Sequence, residues 1–294
     1  AYYEYKGIHE EANPIYKTLS KNGHLTFEFS VSRYFSIDDY YHTIDNYIKY
    51  LQSKPKDIIV PPYLLRTMIV VFRKAGFPDL EKQLAEQLLA FNNDTLEYLN
   101  ALVMTENWQG NYRAALHYGL EALKLDSTDG FCNLIIGLHF AYLKDYKEAL
   151  KYIYNFDRIN TQIHGEFQPS SIAGSVYLKN GKETEAESHF RGAISRWHTQ
   201  IEFSTHTSQS FNHFHALADV YFTLGEKEKA IAYLKELKNL KPVDRVIITM
   251  LNNWPGWDII RNEPEFQDVI KVLDTGYQKE HLRIQELLIR EGMI

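Results

Sequence analysis

Four stretches of this chain carry small residues at one shared spacing. They are GNYRAALHYGLEALKLDS (Gly110 to Ser127), KDYKEALKYIYNFDRIN (Lys144 to Asn160), GKETEAESHFRGAIS (Gly181 to Ser195) and GEKEKAIAYLKELKNLKP (Gly225 to Pro242). In each, an alanine lies five residues after the start of a turn. A large residue or glycine follows four later, and a small or apolar residue three after that. Upstream, NLIIGLHFAYL, SSIAGSVYL and FHALADVYF each set Gly or Ala three residues before an aromatic. Apolar residues recur at three and four throughout, the period of a buried helix face, and alternating apolar/polar runs are scarce. With only 15 Gly and 9 Pro as punctuation, the chain reads as all-α. Units of this length cannot bury an apolar face alone, so they stack on their neighbours.

The pattern resembles the tetratricopeptide repeat (TPR), a 34-residue helix–turn–helix unit. The packing positions of that unit fall on Gly174, Tyr177, Ala186 and Ala193 in one repeat. A second carries Ala218, Tyr221 and Ala230 with Pro242 closing it, a third Gly137, Phe140 and Ala149, and a fourth Ala115 and Ala122. Repeats start near His24, Pro62, Leu96, Gly130, Phe167 and Phe211. Thr43 and Glu81 stand where alanine is usual, so the first two repeats are degenerate. The resemblance implies a right-handed α-solenoid of about six TPR-like hairpins over residues 24–242. An extension over 1–23 precedes them, and closing helices ending in a capping helix follow over 243–294. Small residues let paired helices approach to about 8–10 Å, and aromatics fill the gaps between pairs.

The same resemblance implies that the first helix of each repeat lines a concave, ligand-facing groove. Carried over, those positions fall on Arg66, Arg73 and Lys74 in the second repeat and on Asn100, Asn107 and Trp108 in the third. They include Phe131, Leu134, Leu138 and Tyr142 in the fourth, Ser171 and Lys179 in the fifth, and His215 and Asp219 in the sixth. Asn100 and Asn107 are seven apart, on one helix face, and asparagine amides suit an extended peptide backbone. Arg66, Arg73 and Lys74 form a basic patch fit for a carboxylate. The lysine/asparagine clamp of chaperone-binding TPRs is not reproduced. The expected function is a non-catalytic scaffold that binds a protein or peptide segment in the groove. On that reading, replacing Asn107 and Arg73 by alanine weakens binding and leaves thermal stability nearly unchanged. The alternatives are a ligand-sensing regulatory domain of a larger bacterial signalling protein, or a dimerisation scaffold.

Chemistry is hard to place on this chain. It has no HExxH, no CxxC, no calcium loop, no Walker-type loop, no GxSxG and no GxGxxG. The expectation is no enzyme, no cofactor and no catalytic residue. His198, His206, His213 and His215 gather near a long insertion, SRWHTQIEFSTHTSQS, which is expected to lengthen one helix by two turns. A metal site there is the weaker reading, and no metal is expected. Cys132 is the single cysteine and reads as packing. The net charge of −6 argues against broad nucleic-acid binding. No apolar run approaches a membrane span. The stretch from Ala1 carries no basic n-region or apolar h-region, so a trimmed mature protein and a fragment of a longer one both stay open, as does the compartment.

After Pro242, DRVIITMLNN reads as one further first-type helix, Pro255-Gly256 as a break, and PEFQDVIKVLDTGYQKEHLRIQELLIREG as a helix to about Glu291. The stretch WDIIRNEPEFQDVI resembles the closing segment that follows TPR arrays in many bacterial regulatory proteins. Trp254, Trp257, Ile260 and Phe266 are expected to cap the last repeat. The apolar stripe Phe266, Ile270, Leu273, Tyr277, Ile284 and Leu288 offers a candidate homodimer surface.

Overall fold

A computed structural model describes residues 31, 35, 38–55, 59–164, 167, 169–203, 211–241 and 243–294. The expected N-terminal extension and the repeat start near His24 lie outside them, as does His206. The described residues form 13 α-helices and two 3₁₀ turns. In chain order they are α1 (Tyr40–Gln52), α2 (Pro62–Ala75), α3 (Pro78–Asn92), α4 (Thr95–Gln109), α5 (Tyr112–Leu125), α6 (Gly130–Tyr142) and α7 (Tyr146–His164). Then come α8 (Ser171–Lys179), α9 (Glu183–Phe203), α10 (Phe211–Thr223), α11 (Lys227–Glu236), α12 (Arg245–Asn253) and α13 (Pro264–Arg290). The 3₁₀ turns are Leu237–Asn239 and Pro255–Trp257. The chain is an all-α solenoid of helical hairpins, and no described residue lies in a strand. No described helix is long and apolar enough to cross a membrane.

One turn is reused within the hairpins α2/α3, α4/α5, α6/α7, α8/α9 and α10/α11. Its residue in the left-handed region is Gly76, Gly110, Lys144, Gly181 or Gly225, with φ of 86, 80, 61, 70 and 80°. The following amide reaches back over the last helical turn, as from Asn111 N to Glu106 O at 2.9 Å and from Glu226 N to Tyr221 O at 2.9 Å. This is the Schellman closure, which satisfies orphan carbonyls and favours glycine. Lys144 makes the same closure, Asp145 N to Phe140 O at 2.9 Å, at the steric cost of a Cβ.

The second helices pack through the expected alanines. Ala115, Ala122, Ala149, Ala193 and Ala230 are 0% exposed and Ala186 is 1%. First helices begin on side-chain caps: Asp94 accepts from Glu97 N, Asp129 from Cys132 N, Ser170 from Ala173 N and Asp244 from Ile247 N. Each cap satisfies one amide that a helix start leaves open.

The chain divides into two compact units, residues 1–91 with 277–294, and residues 92–276. In the first, Glu81 occupies an alanine position yet is 1% exposed, because Arg73 Nε binds its carboxylate at 2.6 Å. Thr43, at the equivalent position of the first repeat, is also buried and turns its hydroxyl back to Asp39 O at 2.6 Å. His281 on α13 donates from Nδ1 to Ala75 O at 2.8 Å and stacks on Phe77. The C-terminal stripe expected as a homodimer surface is consumed inside the chain. Phe266, Leu273, Tyr277, Ile284 and Leu288 are buried and Ile270 is half-buried, so that expectation is corrected.

The second unit holds α4 to α12 and the start of α13. Here α12 lies against the first helices of the hairpins. Thr249 Oγ1 donates to Trp108 O on α4 at 2.8 Å. Just beyond α12, Trp254 packs edge-on against Tyr142 of α6, with ring centroids 5.5 Å apart, and donates from Nε1 to Asp219 of α10 at 2.9 Å. Arg261 folds back to bind Leu251 O and Trp254 O, closing the carbonyl end of α12.

Candidate functional site

Where α12 meets the first helices, it leaves a cavity of about 540 Å³ within the second unit. Its walls come from α6 (Phe131, Leu134, Leu138), α8 (Ser171, Ile172), α10 (His215, Ala216, Asp219) and α12 (Met250), with Trp254 beside them. Phe156 and Asn160 from α7, Arg196 and Trp197 from α9, and Pro169 and Ser170 before α8 complete the lining. The helical repeat explains the convergence. Leu134 and Leu138 are four apart, as are His215 and Asp219, so each pair shares one helix face. The volume lies in the range of ordinary ligand sites, and the walls are mostly apolar with a few polar groups, as such sites require.

The polar groups are unusual in their burial. Asp219 is 2% exposed, and Trp254 Nε1 is its side-chain donor. Burial pushes its carboxyl up to about 7, against the smaller opposing effect of the Trp254 bond. His215 is 6% exposed, and burial pushes it down to about 3. Tryptophan only donates, so Trp257 Nε1 at 3.2 Å makes His215 Nε2 the unprotonated nitrogen and leaves the proton on Nδ1. Gly256 sits where a Cβ would strike both Asp219 Oδ1 and Trp254 Nε1, so glycine is needed for this closure. At the rim, the exposed Arg196 lays its guanidinium over the Trp197 ring at 5.0 Å.

The residues expected to face a ligand separate into groups. His215 reaches the cavity, together with the groove positions Phe131, Leu134, Leu138, Ser171 and Asp219. Tyr142 is buried behind it, stacked on Tyr112 at 4.1 Å, and burial pushes its phenol well up. Asn107 is 2% exposed, and its carbonyl oxygen takes the His139 Nε2 proton at 3.0 Å, which corrects its reading as a ligand contact. Asn100 shares that helix face, as the spacing implied, but the face looks toward α6. Asn100 is half-buried in a small crevice beside Phe131 and Cys132. Trp108 is half-buried under Thr249. Lys179 is exposed, its ammonium 6.0 Å above the Tyr146 ring.

In the first unit the expected basic patch is largely committed internally. Arg73 serves Glu81, Lys74 lies 3.5 Å from Asp38 and 3.2 Å from Tyr40 Oη, and Arg66 is exposed. The four residues expected to cap are all buried: Trp254 4%, Trp257 0%, Ile260 3% and Phe266 2% exposed. Ile260 and Phe266 line a crevice with Ile231 and Leu234 of α11, whereas Trp254 faces the cavity. The contributions of Met250, Trp254, Arg196 and Trp197 escaped the reading by repeat position. They come from the segment beyond the array and from a second-type helix.

One constellation looks catalytic and is spent on structure. Asp157 Oδ2 accepts from Tyr177 Oη at 2.6 Å and from His189 Nε2 at 3.2 Å. His189 Nδ1 is occupied by the Ser170 main-chain amide at 3.2 Å, and Ser170 Oγ caps α8. The base therefore faces an amide rather than a hydroxyl, and no nucleophile is activated. Cys132 is buried, and burial pushes its thiol up to about 11, away from the thiolate that chemistry needs. Among the described residues no group of three or more His, Cys, Asp or Glu could hold a metal ion.

Tetratricopeptide-repeat family models match residues 95–125 and 214–244, which are the hairpins α4/α5 and α10/α11. Among solved structures, the chain is similar to the crystal structure of MamA, at 16% identity and a TM-score of 0.42, covering 58% of this chain and 96% of that one. The MamA AMB-1 structure matches at 15% identity and a TM-score of 0.38, covering 56% and 87%. TTC0263, a thermophilic TPR protein in Thermus thermophilus, matches at 16% identity and a TM-score of 0.44, covering 76% and 100%. No curated protein matches the chain.

Proposed function

We propose that this chain is a protein-interaction module that holds a peptide segment of a partner in the cavity between α6, α8, α10 and α12. Tetratricopeptide repeats are defined by packing residues rather than by a reaction, and a stacked array of them serves as a binding surface. The observation that carries the reading is the cavity of about 540 Å³, walled by apolar side chains on first helices and floored by His215 and Asp219. On this reading the site lies away from Asn107, whose side-chain oxygen accepts from His139. The closing segment, through Trp254, acts as one wall of the site.

Selection from a displayed random-peptide library tests this. Peptides enriched on the intact chain are expected to lose binding to Leu134→Trp, which fills the cavity from a half-buried position. The melting temperature of that variant is expected to stay near the parent's. Failure to enrich any peptide, or equal binding to the filled variant, would remove the reading.

A further inference from the structure

Asp219 is a charged group type buried in an apolar cavity with little to compensate it. It is 2% exposed, it lines the cavity, and one indole N–H from Trp254 serves a carboxylate with room for about four donors. Leu134, Leu138, Phe156, Ile172, Ala216 and Met250 share the cavity's lining with it. Among the described residues no cation pairs with it, and the guanidinium of Arg196 is turned onto Trp197. An ion left this way in low dielectric is disfavoured, and its upward shift to about 7 has that cause. A donor with positive charge, brought in from outside, would complete the site.

The surrounding shape narrows the donor. Lysine and arginine bury a methylene stem against apolar surface and keep the charge at the tip. The aliphatic walls suit the stem, and the rings of Trp254 and Phe131 suit the head. We propose that the cavity takes a lysine or arginine side chain of the bound peptide, its stem along Leu134, Leu138 and Met250 and its charged head on Asp219. This rests on the peptide-binding reading above. The chain's net charge of −6 also favours encounter with a basic segment.

The rival account is that Asp219 only anchors Trp254. Asp219→Asn separates the two, because the amide oxygen still accepts from the indole while the charge is gone. The probes are fluorescein-labelled hexapeptide mixtures with random flanks and a central residue fixed as lysine, arginine, norleucine or glutamate. Binding to the full chain is read by anisotropy. The lysine and arginine mixtures are expected to bind about tenfold or more tighter than the norleucine and glutamate mixtures. In Asp219→Asn this advantage is expected to shrink to within about twofold in a variant that still melts cooperatively, at or above the parent's temperature, while Arg196→Ala keeps or enlarges it.

Should norleucine bind as well as lysine, with binding lost in Leu134→Trp, the basic-side-chain inference falls and the groove reading stands. A preference for glutamate that depends on Arg196 also overturns the inference. No binding by any mixture, or binding indifferent to Leu134→Trp, overturns the groove reading itself. If Asp219→Asn does not fold, the lysine-against-norleucine comparison on the unaltered chain still decides.

Discussion

Asn107→Ala is the substitution on which the groove assignment turns. Asn107 is 2% exposed and His139 is 0% exposed, and a 3.0 Å bond between Oδ1 and Nε2 links them. Burial pushes His139 down to about 4, so the ring is neutral at pH 7 with one proton to donate. Its other nitrogen, Nδ1, has no partner, so shifting the proton gains nothing. Removing the acceptor leaves a buried N–H unsatisfied at about 1–3 kcal/mol. The emptied space adds roughly 1 kcal/mol, for a total of about 2–4 kcal/mol. At roughly 2–4 °C per kcal/mol for a unit of this size, the melting temperature should fall by roughly 4–16 °C. Thermal melts followed by circular dichroism at pH 7.5 read this directly. The double variant Asn107→Leu with His139→Leu should recover much of the loss, since removing both partners leaves no orphan. A single variant that melts within a degree of the parent and instead loses peptide binding would refute the reasoning and restore Asn107 to the ligand face.

Three further outcomes are expected. Asp219 keeps its proton up to about pH 7 when folded, against a reference of 3.8 when unfolded, so its contribution to stability falls as pH rises between those values. His215 and His139, pushed down to about 3 and about 4, contribute the opposite slope below pH 6.5. Asp219→Asn removes the falling part alone, so urea midpoints of the variant should gain on the parent's from pH 5 to pH 8, and a gap that does not grow with pH contradicts this. Arg73→Ala takes the guanidinium from a nearly fully buried Glu81 and should cost about 3–5 kcal/mol in chemical denaturation, much of it recovered by also replacing Glu81 with alanine. Gly174→Ala drives a methyl to 2.5 Å from Phe190 Cε1 and should lose about 1–3 kcal/mol, less up to about 1 kcal/mol of helix propensity. Gly276→Ala, with 3.5 Å to Val243 Cγ2, should instead gain up to about 1 kcal/mol, and equal melting of the two variants would contradict the packing argument.

Local spacing carried much of the fold. Ala115, Ala149, Ala186 and Ala230 announce second helices because only a small residue permits the close approach that buries them completely. The stop at Pro255-Gly256 and the start at Pro264 were likewise legible, since proline and glycine act on the backbone where they stand. Part of the cavity was also readable. Phe131, Leu134, Leu138, Ser171, His215 and Asp219 lie on the inward face of helices whose phase the repeat sets. Glu81 at an alanine position was a signal of another kind, because a carboxylate there needs a cation, and Arg73 supplies it.

What only tertiary structure decided is which neighbour each face meets. A spacing of seven puts Asn100 and Asn107 on one side of α4, but the angle around a helix axis does not say whether α6 or a ligand lies beyond it. His139 lies 32 residues on from Asn107, and nothing within a turn of either marks the bond. The same holds for the closing segment. Its aromatics had to be buried, since water disfavours them, yet burial is non-directional. It was the Trp254 indole finding Asp219, 35 residues back in the chain, that turned a residue expected to cap the array into a wall of the cavity.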